Sequence, residues 1–177
     1  MIREIVHAQD PVLHRKCKEV KKIDKKIKSL IKDLEDTLKA QTDPEGVGLA
    51  APQIGKNISV FIMKPKKEIK VIINPKILKI WRRPKGQKID PKKSIMEGCL
   101  SLPHYYSPVK RAPKVTLKYL DVNGKDKTEI FKGLEAHIIQ HEVDHLKGKL
   151  FVDVILEQKK PLYEYIDGDW EKVDFIA

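Results

Sequence analysis

The sequence has few cysteines and no long apolar run. Its 177 residues include two cysteines, Cys17 and Cys99, which is too few for a disulfide scaffold. No apolar stretch approaches the roughly 20 residues of a membrane-spanning helix, so we expect no membrane partner. The first six residues include an acid and are only briefly apolar, which is typical of neither a signal peptide nor a transit peptide. These absences predict a cytoplasmic protein, from a bacterium rather than a trimmed organellar form.

The composition is that of a folded, basic protein. Hydrophobic residues make up 41% of the chain, which is enough for the core of one domain. The formal net charge is +11, and the lysines are spread along the chain. A solvated lysine-rich surface explains this charge, and weak association with the ribosome or rRNA is the functional alternative. No basic run interleaved with aromatic residues and no zinc-finger spacing is present, so no specific nucleic-acid motif is predicted.

Two segments have the apolar spacing of helices. In the first, apolar residues recur every three or four positions from Ile23 to Leu38, which predicts a long N-terminal helix at about residues 24–42. In the second, Leu134, Ile138 and Val143 share one side of a helix over residues 134–146. Near the start, Asp10-Pro11 opens a short helical turn, and Cys17 is most simply a small buried residue of that segment.

The remaining regular segments indicate strands. Strands are predicted at residues 58–63, 69–73, 77–81, 115–121 and 128–131, with Asn74-Pro75 separating the second from the third. Asn123-Gly124 predicts a hairpin turn between the last two. Residues 84–94 are polar and basic and indicate a loop. The tail, residues 160–177, is predicted to be a hairpin of residues 162–166 and 170–176 around Asp167-Gly168. One α+β domain accounts for residues 1–177, with antiparallel or mixed sheets.

The strongest chemical signal is His141-Glu142-Val143-Asp144-His145, an HExxH pattern on the second predicted helix. Positions i and i+4 share one helix face, so two imidazoles there can bind one metal ion. Glu142 lies beside the ion without binding it and can move a proton to and from water. HExxH also occurs by chance in surface helices, but here it falls on an independently helical segment. The pattern predicts a metal-dependent hydrolase.

A catalytic metal site needs a third protein ligand and an open position for water. In many zinc peptidases the third ligand follows the helix, where this chain offers Asp153, Glu157 and Glu164. The other candidate is Cys99, which lies between Gly98 and Pro103 in what we interpret as a constrained loop. The alternative for Cys99 is an ordinary buried cysteine. The spacing of these residues leaves the choice open.

Three motifs together resemble the peptide deformylase family. They are Gly46-Val47-Gly48-Leu49-Ala50-Ala51-Pro52-Gln53, Glu97-Gly98-Cys99-Leu100-Ser101 and Gln140-His141-Glu142-Val143-Asp144-His145-Leu146, in this order and at familiar separations. The resemblance covers roughly residues 2–155. It implies a hydrolase of a linear amide that removes the formyl group from N-formylmethionine on nascent polypeptides. It also implies an α+β fold built around the HExxH helix.

The resemblance implies a role for each motif. Cys99, His141 and His145 would be the ligands of one divalent ion, Fe²⁺ in the cell, with Zn²⁺, Ni²⁺ or Co²⁺ possible in purified protein. Glu142 would be the general acid–base. Gln53 and the backbone N–H of Leu100 would stabilise the oxyanion that forms when water attacks the formamide.

The family also binds the substrate backbone along the first motif as an added strand. Accordingly, the residues expected to bind substrate are Gly46, Val47, Gly48, Leu134 and Ile138. The apolar members have an equally good interpretation as core residues. Glu97 and Arg111 are expected to form an ion pair that steadies the cysteine loop.

The sequence departs from the family in two places. His104-Tyr105-Tyr106 stands where some relatives carry an arginine near the substrate entrance, and a hairpin replaces the long C-terminal helix of one group. Three alternatives accompany the deformylase hypothesis. They are a general HExxH zinc endopeptidase, a basic RNA-binding protein with a structural metal, and an inactive member of the family.

Overall fold

The computed structural model describes residues 1–84 and 95–174. Within these ranges the chain forms three α-helices and two antiparallel sheets. Except for residue 84, the predicted loop at 84–94 lies outside the described residues, as do residues 175–177 of the tail. In the described part of the chain, no helix is long and apolar enough to cross a membrane.

The elements have the following bounds. The helices are α1 (Lys25–Ala40), α2 (Gly133–Leu146) and α3 (Phe151–Gln158), and short 3₁₀ turns cover Pro11–His14 and Ala51–Ile54. The strands are β1 (Gly48–Ala50), β2 (Val60–Met63), β3 (Lys70–Trp81), β4 (Glu97–Cys99), β5 (Leu102–Ser107), β6 (Lys114–Leu120), β7 (Asp126–Lys132), β8 (Leu162–Ile166) and β9 (Asp169–Val173).

The larger sheet has the order β1-β2-β3-β6-β7 and is covered on both faces near β2. Val60 and Ile62 pack with the apolar face of α1, whereas Phe61 and Met63 pack with α2. Burial on both faces explains why β2 is a continuous apolar run rather than an alternating one. The sheet therefore fixes α2, which carries the HExxH pattern, against β1 and β2.

The smaller sheet has the order β4-β5-β8-β9. Its inner face packs on α3 through a cluster that includes Cys99, Phe151, Ile155 and Leu162. The C-terminal hairpin of β8 and β9 extends this sheet, because β8 pairs with β5 in the register Tyr106–Tyr163. Cys99 is thus held by a strand that belongs to a packed layer.

The structure differs from the sequence-based expectations in three places. The segments 69–73 and 77–81 form one strand, β3, with a register irregularity where Asn74-Pro75 was expected to separate two. The segment from Gly98 to Pro103, interpreted as a constrained loop around Cys99, contains the tight turn of the hairpin β4–β5, with Cys99 at the end of β4. The short helix α3 was not predicted. Its apolar residues Phe151, Val154 and Ile155 have helical spacing over only two turns, which is too short a pattern to identify alone.

Asn74 explains how β3 continues through its irregularity. Its φ is 49°, a left-handed conformation that asparagine tolerates better than most residues. Its side-chain oxygen accepts from the N–H of Val20 at 2.9 Å, and its amide donates to the carbonyl of Val20 at 2.8 Å. The side chain thereby ties the segment before α1 to the sheet.

We expect Asn74→Ala to lower the free energy of unfolding by about 1–3 kcal/mol, because both polar groups of Val20 lose their partner. Urea denaturation measures the change. Asn74→Gly, which keeps the backbone conformation but loses both hydrogen bonds, should be similarly destabilised. The control Asn123→Ala, in an exposed turn, should change the value by less than about 0.5 kcal/mol. An Asn74→Ala curve that overlays the parent would contradict this assignment.

Candidate metal centre

Cys99, His141 and His145 meet between the two sheets. One possible ligand atom from each lies within 4.8 Å of the others, and Sγ of Cys99 is 3.3 Å from Nε2 of His145. The two histidines are one turn apart on α2, and Cys99 is supplied by the end of β4. All three side chains are buried. One sulfur and two imidazole nitrogens at this separation are a donor set suited to a first-row divalent ion.

A buried carboxylate, Glu97, orients His141. Its Oε1 accepts from Nδ1 of His141 at 2.8 Å, since a carboxylate can only accept, and this leaves Nε2 facing the other two ligand atoms. Arg111 holds the same carboxylate with two hydrogen bonds of 2.9 and 2.7 Å and also pairs with Asp144 of α2. The ion pair expected between Glu97 and Arg111 is therefore present.

His137 was not identified from the sequence. It lines the cavity, and its Nε2 lies 2.6 Å from Oε2 of Glu97. A signal was available, because His137 lies four residues before His141 and thus on the same helix face. Burial would raise the pKa of Glu97, but hydrogen bonds from Arg111 and His141, with His137 nearby, hold it well below its usual range.

The charges of the centre favour a thiolate. Burial alone would raise the pKa of the Cys99 thiol, but His145 and His141 lower it to about 5. Burial likewise opposes protonation of His141, whereas Cys99 and Glu97 raise its pKa well above the usual value. Since a thiolate is the form that binds metal, Cys99 is prepared as a ligand at neutral pH. Cys17, by contrast, is buried with its pKa raised to about 11, as expected for a core cysteine.

Glu142 lies beside the three donor atoms and is buried. Its Oε2 has no hydrogen-bond partner among the described residues, so the carboxylate is available to a small polar molecule in the cavity. Burial raises its pKa to about 7, with His141 and His145 acting in the opposite direction. A Cβ on Gly48 would collide with Oε1 of Glu142 and lie 3.0 Å from Cγ2 of Ile138. Glycine at this position lets β1 approach the carboxylate.

Gln53 has both a structural and a site-facing end. Its Oε1 accepts from the N–H of Ala50 at 2.9 Å, which fixes the side chain. Its Nε2 lies 3.6 Å from Sγ of Cys99 and 3.3 Å from Oγ of Ser101. The amide donor therefore points toward the metal ligands rather than into the loop.

One cavity of about 280 Å³ connects these groups. The residues that line it include Gln53, Leu100, Cys99, His141, Glu142 and all five expected substrate-binding residues, Gly46, Val47, Gly48, Leu134 and Ile138. Ile138 also belongs to the core beneath α2, whereas Val47 and Leu134 are about 40% exposed at the rim. His104, Tyr105 and Tyr106 of β5 also line the cavity.

The acidic residues downstream of the HExxH helix, which remained candidates for the third metal ligand, have other partners. Asp153 accepts from the N–H of Leu150 at the start of α3, and Glu157 pairs with Lys149. Glu164 interacts with the hydroxyl of Tyr105. Within residues 1–84 and 95–174, the cluster with metal-binding spacing contains three residues and no fourth. Such a site keeps an open position, which is typical of catalytic rather than structural metal sites.

The chain is similar to known proteins over most of its length. Residues 2–161 match the family described as polypeptide deformylase. A peptide deformylase of Dictyoglomus thermophilum is 42% identical over 158 residues, which cover 89% of this chain and 95% of that protein. The crystal structure of a peptide deformylase from Legionella pneumophila has a TM-score of 0.75 and 41% identity, with 87% of this chain and 86% of that chain covered. A Synechococcus elongatus peptide deformylase in complex with actinonin has a TM-score of 0.75 and 35% identity, covering 85% and 77%.

We expect Arg111→Ala to lower the free energy of unfolding by about 3–5 kcal/mol, because it leaves the buried Glu97 charge unpaired. His141 would also lose its fixed orientation, so metal should be lost faster to a competing chelator. Denaturation and metal analysis measure the two effects. The control Arg3→Ala, whose pair with Asp33 is 42% exposed on the arginine side, should cost at most about 1 kcal/mol. Unchanged stability and metal retention in Arg111→Ala would contradict the role given to this ion pair.

Proposed function

The chain belongs to the polypeptide deformylase family and is a hydrolase that removes formyl groups, and we propose that its substrate is the N-formylmethionine of nascent polypeptides, bound at the centre of Cys99, His141 and His145. One observation carries this assignment. The three donor atoms lie within 4.8 Å of one another, and Cys99, His141 and the buried Glu142 line one cavity. The relatives reported above are bacterial, which supports action in a bacterial cytoplasm.

The residues present fit a divalent ion. Cys99, His141 and His145 would hold it, and Glu142, whose Oε2 has no hydrogen-bond partner among the described residues, lines the same cavity. When bound, the ion supplies Lewis-acid chemistry that makes water a nucleophile near neutral pH. A thiolate with two imidazoles suits several first-row ions, and we infer Fe²⁺ in the cell with Zn²⁺, Ni²⁺ or Co²⁺ as substitutes.

Two edge strands would bind the substrate backbone. β1 is the edge of the larger sheet, and β4 is the edge of the smaller one. Residues 46–48 and 97–100 line the cavity from these two edges. An extended peptide can therefore add as a strand to β1, with its methionine side chain directed to Val47, Leu134 and Ile138. The apolar rim formed by these side chains excludes water from the thioether.

Glu142 would move the proton. Its Oε2 accepts a proton from the attacking water and then delivers it to the nitrogen of the departing methionine amine. A pKa of about 7 suits a group that must both accept and donate near neutral pH. The Nε2 of Gln53 and the backbone N–H of Leu100 would donate to the formyl oxygen as its negative charge develops.

The alternatives fit the site less well. A general HExxH endopeptidase would use a downstream ligand, and the three acids considered for that role have other partners. A structural metal in an RNA-binding protein would be closed by a fourth ligand, which the described residues do not provide. The +11 charge favours weak association with rRNA as an addition to the enzymatic role.

We expect Glu142→Ala and Glu142→Gln to keep fold and metal but to release formate from a formyl-Met peptide roughly 10²–10⁴-fold more slowly. Anaerobic purification, metal analysis and a formate assay test this. The control Glu135→Gln, on the same helix but away from the cavity lining, should retain parental activity. Parental activity in the Glu142 variants would refute the proton-transfer role. Cleavage within an unformylated peptide, without formate, would overturn the function itself.

We expect Gln53→Ala to lower kcat by about 10²–10³, the usual effect of removing one oxyanion donor. The matched control is Ser101→Ala, which removes the hydroxyl beside Nε2 of Gln53 but leaves the amide donor in place. Its kcat should fall much less. If both variants lose activity equally while metal content is unchanged, the amide acts by holding the loop and not by stabilising charge.

A further inference from the structure

The smaller sheet carries four aromatic side chains on the face that continues the cavity wall. Directly opposed residues share a face, and the register opposes Tyr106 to Tyr163 and Tyr165 to Trp170. Tyr163 and Tyr165 are two residues apart on β8, so all four lie on one face. The chain has eleven aromatic residues, and four of them form this aromatic platform, Tyr106, Tyr163, Tyr165 and Trp170.

The platform is continuous with the cavity. Tyr106 lines the cavity, and its ring lies over Gly98, where a Cβ would come within 2.7 Å of the ring. The ring of Trp170 meets Tyr106 edge-to-face at 5.3 Å and Tyr165 at 4.8 Å. Trp170 is 50% exposed and Tyr165 is 40% exposed. Aromatic surface therefore extends from the cavity outward onto the C-terminal hairpin.

The opposite face of the same sheet explains why these rings stay at the surface. Leu162 and Val173 are directly opposed and pack into the cluster with Tyr105 and α3. The packing of Leu162 and Val173 in this cluster holds the hairpin against α3, so the aromatic platform on its other face has a defined position. Three of its members, Tyr163, Tyr165 and Trp170, lie beyond residue 161, where the family match ends.

The hairpin that carries most of the platform is acidic in a chain of net charge +11. Residues 162–174 contain five acids (Glu164, Asp167, Asp169, Glu171 and Asp174) and one base, Lys172. Glu164 and Glu171 oppose each other on the face away from the rings, whereas Asp167 and Asp169 lie in or next to the hairpin turn, beside Tyr165 and Trp170. Glu45 lines the same cavity as Tyr106. Burial raises the pKa of Tyr106, and the nearby carboxylate of Asp43 raises it further. Lys172 lies directly opposite Tyr163, so its positive charge disfavours a second cation at that end of the platform. The other end, at Trp170 and Tyr165, is the one that favours a cation.

We propose that the aromatic platform binds a lysine or arginine side chain of the substrate polypeptide, a few residues beyond its methionine. This inference rests on the proposed function, which places an extended peptide in the cavity. Ring faces attract cations, and carboxylates at the mouth add to that attraction. The platform becomes a determinant of which nascent chains are processed fastest.

The dimensions suit this role. An extended peptide advances about 3.3 Å per residue, and the ring-to-ring steps of 5.3 and 4.8 Å are each longer than one such advance. Two or three substrate residues therefore fit along the platform after the peptide passes Tyr106. The contact should depend on where the basic residue lies in the peptide.

The test uses formyl-Met peptides of alanine and serine with one lysine at the third, fourth or fifth position. Each has a partner with N-acetyl-lysine, which keeps the length but removes the charge. The measured quantity is kcat/KM for formate release by the metal-loaded enzyme, relative to the same variant's value for formyl-Met-Ala. We expect the lysine peptide to be favoured about two- to fivefold at one position or more, the size of an exposed cation–π contact.

Variants distinguish the contribution of the aromatic rings to the lysine preference from that of the carboxylates. Trp170→Leu should abolish the preference, Tyr165→Leu and Asp43→Asn should reduce it, and Trp81→Leu should keep it. Trp81 is the matched control, because it is a similarly exposed tryptophan on the other sheet.

The outcomes distinguish this inference from the proposed function. Equal rates for lysine and acetyl-lysine peptides at every position, or a preference that persists in Trp170→Leu, would overturn the platform while formyl-Met-Ala is still hydrolysed. A stronger preference for phenylalanine than for lysine would also overturn it. If the parent enzyme releases no formate from any formyl-Met peptide, including formyl-Met-Ala, the proposed function fails and this inference fails with it.

Discussion

The buried carboxylate of Glu97 joins the two halves of the molecule. It lies at the start of β4 and accepts from Arg111 and from His141 on α2. A buried charge is costly unless each lone pair is occupied, so this contact fixes one geometry between β4 and α2. Cys99 follows two residues later on β4, and its position relative to the histidines depends on that geometry. The candidate metal centre is thus assembled from two layers by an interaction that does not itself involve the three donor atoms.

The cavity lies where an edge strand of the larger sheet comes close to an edge strand of the smaller sheet. An edge strand presents unpaired backbone groups, which proteins usually protect because they invite aggregation. Here β1 and β4 are both edges and both line the cavity. Gly48 keeps β1 near Glu142, and Gly98 leaves room for the ring of Tyr106. In the proposed binding mode, a peptide that added to these edges would satisfy their backbone groups and would bring its terminus to the buried carboxylate.

The sequence predicted what depends on local pattern and missed what depends on distant contacts. Apolar spacing from Ile23 to Leu38 places a helix within two residues of the observed α1, and the alternation of residues 162–166 predicts β8. In contrast, the continuity of β3 through Asn74-Pro75 depends on hydrogen bonds to Val20, which lies far away in sequence. The spacing of HExxH gave two donors, but the choice of Cys99 over Asp153 required motif resemblance, because no local pattern connects β4 to α2. His137 differs, because its position four residues before His141 placed it on the same helix face and was a local signal.

A formylated N-terminus is uncharged, which shapes how such a site can recognise its substrate. An uncharged terminus has no charge for the acidic groups near the cavity to attract, so hydrogen-bond donors inside the cavity must identify the formyl group. Any recognition of charge must involve side chains farther along the peptide. The acidic groups near this path are Glu45, which lines the cavity, Asp43, whose charge acts on Tyr106, and the acids of the C-terminal hairpin. In the proposed reaction Glu142 returns one proton to the departing nitrogen, which gives a neutral amine and formic acid. When formic acid passes its own proton to the amine, the products become a formate ion and an ammonium group. The Glu142 carboxylate would then lie beside a cation, and release of the product would require this pair to separate. A platform that binds the chain farther out therefore strengthens binding of substrate and product alike, which raises kcat/KM at low peptide concentration without helping the release step.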